Sequence, residues 1–149
     1  MKRLFAVLLL LVLCSSVAFA DDFDYASFTI YSEVFGASGI DFPSTDIRTK
    51  DKFTYHVFEP DNCQIVFLYN DGTPAAISIK GSGEPFLAYC CAALQIIDPE
   101  GNKLTGYGNL LICYMLTNGS GEKETGFTAS GKVFEIQKTE TGFSFLGDM

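Results

Sequence analysis

Three runs with strand chemistry lie close together in the middle of the chain: Phe53 to Phe58, Cys63 to Tyr69 and Ala75 to Lys80, each rich in β-branched and aromatic residues. They are separated by Glu59-Pro60-Asp61-Asn62 and by Asn70-Asp71-Gly72-Thr73-Pro74. In such breaks Gly accepts positive φ and Pro removes a ladder donor. Both breaks are too short for a parallel crossover, so the pattern predicts an antiparallel meander. Ser82 to Ile97 then changes period. Ser82 suits an N-cap, Glu84 the positive end of a helix dipole and Pro85 the first turn, and Asp98-Pro99 ends the segment. Between Phe86 and Ile97 only Gln95 is strongly polar, which predicts a helix buried on more than one side, across the sheet and under another element.

That second element is expected at Thr105 to Leu116, where Tyr107, Leu110, Leu111 and Tyr114 recur at helical spacing, with strand as the alternative. Upstream, Asp21 to Phe35 fits a helical stripe through Phe23, Ser27, Ile30 and Val34, and also fits strand alternation. Helix is the preferred reading. Gly36 to Lys52 and the glycine-rich Asn118 to Gly131 read as loops, the latter with at most a short central strand. Lys132 to Lys138 and Gly142 to Leu146 alternate across Thr139-Glu140-Thr141 and predict a hairpin. Strands flanking a helical middle give a single α+β domain, an antiparallel sheet of about five strands with two or three helices packed on one face.

The N-terminus stands apart from this pattern. Met1-Lys2-Arg3 is basic, Leu4 to Leu13 is apolar and Ala18-Phe19-Ala20 is a small-x-small site, the layout of a secretory signal peptide over residues 1–20. The expected product is a secreted domain of residues 21–149, because the apolar run is shorter than the roughly 18 residues of a membrane span. Lipid anchoring at Cys14 is the minor alternative; Leu13 before it is not the small residue such a site needs.

Composition narrows the partners. Of 149 residues, 48% are hydrophobic and 19% charged, so a disordered or fibrous chain is excluded. The net charge is −8, and without Lys2 and Arg3 it is −10, with 8 basic against 18 acidic residues. Such a chain repels nucleic acid and anionic lipid at long range.

Candidate chemistry is sparse. Cys63, Cys90, Cys91 and Cys113 remain after the leader, and an even cysteine count in an exported chain makes all four disulfide candidates. A Cys90-Cys91 bridge is disfavoured, since adjacent Cα atoms are closer than bridged ones and the two side chains diverge on a helix. Bridges from either to Cys113 or Cys63, or four packed thiols, stay open. His56 is the only histidine, so Cys63 with His56 is the one nucleophile-base pair the chain could assemble. No metal site is expected, with no Cys-x-x-Cys, and no cofactor fingerprint occurs. Asp98-Pro99-Glu100-Gly101-Asn102 alternates oxygen ligands but departs from the calcium-loop template, so it reads as a turn. Asn118-Gly119-Ser120 is a formal glycosylation sequon in the expected loop.

The residues after the leader include 12 Phe and 7 Tyr. Most belong to a core, but Tyr69, Tyr107, Phe127, Phe143 and Phe145 fall at element ends, where an apolar ring can meet a partner. The function expected is therefore an exported, non-enzymatic binding module for a protein or another extracellular or envelope component. A small secreted Cys-His hydrolase and a carrier of a small apolar ligand are the alternatives.

Overall fold

The computed structural model describes residues 25–37 and 46–149. The expected leader with Cys14, residues 21–24, and residues 38–45 of the expected Gly36 to Lys52 loop lie outside the described residues. Helix α1 (Tyr25–Val34) is followed by strands β1 (Asp46–Lys50), β2 (Phe53–Phe58), β3 (Gln64–Asn70) and β4 (Thr73–Gly81). Helices α2 (Gly83–Ile97) and α3 (Lys103–Ser120) come next, then β5 (Glu124–Phe127), β6 (Val133–Thr139) and β7 (Gly142–Asp148). The strands form one antiparallel sheet of seven in the order β1-β2-β3-β4-β7-β6-β5. The α+β class and the helical layer are as expected, and the strand count exceeds the expected five by the two edge strands.

Those two edges are where the chain departs from its local pattern. β1 was expected to be loop, because Ile47 is its only large apolar residue and all five positions are exposed. It is held by pairing with β2, Asp46 opposite Val57 through Lys50 opposite Phe53, and a charged edge also resists pairing with other chains. β5 lies in the expected glycine-rich loop, and its Gly126 has a positional reason: a Cβ there would sit 2.2 Å from the ring of Phe134. The sequon also moves, since Asn118 to Ser120 form the last turn of α3, which ends on Gly121 in the left-handed region at φ 77°.

Strand alternation divides the sheet into two unlike faces. Ile65 and Phe67 of β3, Ile77 and Ile79 of β4, Phe134 and Ile136 of β6 and Phe145 of β7 point to one side and are fully buried. Helix α2 lies over them with Phe86, Tyr89, Cys90, Ala93, Leu94 and Ile97 inward. Burying each large side chain contributes about 1.5–3 kcal/mol, which is why this layer forms despite the modest helix propensity of its aromatic and β-branched members. The approach is close at Gly147 of β7, where a Cβ would meet Ile97 Cδ1 at 2.2 Å. α1 packs Phe28 between Phe67 (ring centroids 5.3 Å) and Tyr89 (6.2 Å) on one flank. α3 sits on the other flank, with Leu110 and Cys113 buried and the hydroxyl of buried Thr117 aimed at the Ile136 carbonyl, 3.5 Å away. The opposite face of the sheet carries no helix among the described residues.

Candidate functional site

On that helix-free face the register builds two cross-strand rows. One runs Asp46, Val57, Val66, Ser78, Leu146 and the other Arg48, Tyr55, Leu68, Ala76. Between them and the β1 edge lies an open groove of about 350 Å³, with Tyr55, Val57 and Val66 as an apolar floor and Arg48, Lys50 and Gln64 as a polar rim. Arg48 donates to the Asp46 carboxylate through its guanidinium, an exposed pair that salt would loosen. The Lys50 ammonium lies at the same edge. Two cations beside an apolar floor suit a ligand that pairs an apolar group with a carboxylate. None of these six residues was a sequence candidate. The usable signal was the Phe53, Tyr55, Val57 side of β2, whose apolar residues have no helix over them, next to cations at Arg48 and Lys50 two positions apart.

His56 and Cys63 both belong to the helix-covered side, but they are not brought together. His56 stands opposite Phe67, its ring 4.8 Å from that of Tyr69. Cys63 immediately precedes β3, four residues before Phe67, which at the rise of a strand displaces it about 13 Å along the sheet. Cys63 is buried beneath a broad depression of about 660 Å³ bordered by Glu59, Lys80, Ser82 and Thr141. Burial raises its pKa, with the Asp61 carboxylate adding to the effect against a hydrogen bond from the Ser82 backbone. Such a thiol stays protonated at neutral pH and is a poor nucleophile.

Cys90, Cys91 and Cys113 are also free thiols, so none of the four disulfide candidates is bridged among the described residues. Burial drives Cys90 well up, with Cys91 and Cys63 nearby adding to it, and pushes Cys91 up to about 11. Cys113 is raised by burial and then by Glu124.

Asp98 is the best-held carboxylate. It is 7% exposed and accepts hydrogen bonds from the Ser130 hydroxyl (2.7 Å) and the Ser130 backbone N–H (3.1 Å). Bonds from Ser130 and Thr128 hold its pKa at about 2. It therefore ties the α2–α3 turn to the loop after β5. Among the described residues no group of three or more His, Cys, Asp or Glu is placed to hold a metal ion. The concavity beside this turn, between Leu94 and Tyr107, has room for about 10 Å³, the size of a water and not of an apolar ligand.

The aromatic candidates mostly serve the core. Tyr69 is buried against His56. Phe143 is buried between Phe86 (6.0 Å) and Tyr114 (4.6 Å), and Phe145 is fully buried against Phe134 (5.7 Å). Tyr107 is half-buried, accepts a hydrogen bond from Gln95 and meets Phe35 edge-on at 5.1 Å. Only Phe127 is exposed, at 52%, on the helix-free side where it pairs with Val133. Tyr69, Phe143 and Phe145 are buried by neighbours from distant sequence, so local pattern could not reveal their burial. No helix among the described residues is long and apolar enough to cross a membrane. No family model, no curated protein and no solved structure matches this chain.

Proposed function

We propose that the protein is an exported, non-enzymatic binding module that engages its partner through the helix-free face of the sheet. The carrying observation is the groove of about 350 Å³, where Arg48 and Lys50 edge a floor of Tyr55, Val57 and Val66 in a chain of net charge −8. Cations concentrated at one uncovered apolar groove of an acidic protein select a partner that presents an apolar side chain beside a carboxylate, on another exported protein or an envelope component. The half-exposed Leu146 and Phe127 extend the same face. The protonated state of all four thiols and the separation of Cys63 from His56 support binding over Cys-His hydrolysis.

Affinity capture with the exported protein as bait tests this reading. Charge reversal at both Arg48→Glu and Lys50→Glu is expected to abolish recovery of the partner that the unaltered protein retains, with the circular dichroism spectrum unchanged. Equal capture by both proteins sinks the groove. A hydrolytic activity that fell by the roughly hundredfold expected on losing a general base in His56→Gln, with the fold intact, would sink the non-enzymatic reading.

A further inference from the structure

The outer surface of the helical layer, on the opposite side of the molecule from the groove, is unusual for a surface exposed to water. Residues 104–121 contain no charged residue, and within α3 only Lys103 is charged. A helix on a soluble monomer normally turns a charged face to solvent. Here Leu104 (81% exposed), Leu111, Ile112, Met115 (71%) and Leu116 point outward, while Leu110 and Cys113 face the core. Ile30 and Val34 (75%) of α1 are exposed as well, on the other flank of α2. The five side chains of α3, each half to four-fifths exposed, leave on the order of 500 Å² of apolar surface on one helix face, at the upper end of the largest patch usual on a monomer and the larger part of the ~800 Å² per partner of a standard interface.

We infer that this face binds a second copy of the same chain, forming a symmetric dimer across α3. Self-complementarity argues for a copy over another occupant. When two α3 helices run antiparallel about a two-fold axis between Leu111 and Ile112, Gly108 of one faces Met115 of the other, Gly119 faces Leu104, and Leu111 meets Ile112. All six positions fall on one side of the helix at 100° per residue. Each bulky residue thus meets a glycine or sits at the centre. A Cβ at Gly108 or Gly119 would have nothing within 4 Å, so packing within the chain gives no reason for glycine at either position, and glycine weakens a helix interior. Charge points the same way: the uncharged face lets two acidic molecules meet without placing like charges together, whereas the net charge of −8 opposes an anionic lipid surface.

The oligomeric state tests the inference. Light scattering on the purified exported protein across a range of concentrations is expected to give twice the chain mass. Met115→Lys should return it to monomer with an unchanged circular dichroism spectrum. Gly108→Leu should also dissociate it, although removing a mid-helix glycine favours the helix itself; Lys80→Glu, exposed on the helix-free side of β4, should leave the dimer intact. A monomer at high micromolar concentration overturns the inference, as does a dimer that survives both Met115→Lys and Gly108→Leu. A monomer that binds phosphatidylcholine vesicles through α3 overturns it in favour of a lipid, and a monomer that binds a different protein there overturns it in favour of that partner. Loss of the dimer with groove binding intact would leave the proposed function standing, since the two surfaces lie on opposite faces.

Discussion

Replacing Asp98 by Asn keeps the size of the side chain and an acceptor oxygen while removing the charge that Ser130 and Thr128 stabilise. The Asp98 carboxyl is lowered from an ordinary 3.8 to about 2, which sets a ceiling of ~2.5 kcal/mol on the contribution of its ionised form. Asp98 joins exposed loops where solvent screens part of that interaction, so a loss of about 1–2 kcal/mol is expected, a fall in Tm of roughly 3–6 °C for a domain of this size. A carboxyl with a depressed pKa stabilises the fold above its unfolded pKa and loses that contribution as pH falls through its folded value. The difference between the two proteins should therefore be full at pH 7, begin to shrink near pH 4 and nearly vanish toward pH 2, where the protonated carboxyl resembles the amide. Urea unfolding followed by circular dichroism at pH 7, 4 and 2.5 measures it. A penalty independent of pH, or no penalty at pH 7, would refute the role assigned to the Asp98 charge.

Other expectations rest on separate parts of the molecule. Gly126→Ala places a Cβ against the fully buried Phe134 ring at 2.2 Å, so it should cost about 1–3 kcal/mol in the same urea assay; a neutral effect would mean β5 can shift from its register. In the folded protein Cys90, fully buried and raised by that burial, should resist a thiol reagent at pH 8 far longer than in urea, with Cys91 faster because it is only half-buried; prompt labelling of Cys90 would contradict the packing of α2. Intact mass of the exported protein should place its N-terminus at Asp21, and a retained leader or a diacylated Cys14 would contradict the export route.

Much of this fold was legible because the middle of the chain is locally consistent. Phe53 to Phe58, Gln64 to Asn70 and Thr73 to Gly81 alternate, their breaks carry turn residues, and Asp98-Pro99 ends α2 where it must. β1 was illegible because an edge strand needs only backbone pairing, and Asp46-Ile47-Arg48-Thr49-Lys50 has no apolar alternation to betray it. Missing β1 hid the groove as well, since Arg48 and Lys50 become neighbours of Tyr55 and Val66 only after the strand is paired. Phe143 and Phe145 were misplaced for the opposite reason: their alternation was plain, but which face α2 and α3 cover depends on contacts across the whole chain.

The most direct measurement of the central claim is in-cell photocrosslinking from the groove, with a benzophenone side chain at Tyr55 or at Val66 and a control at Gln137 on the same face. The binding-module reading expects one discrete adduct, the same from Tyr55 and Val66, absent from Gln137 and lost when Arg48→Glu and Lys50→Glu are added. No adduct from either groove position, or equal adducts from all three sites, would contradict it.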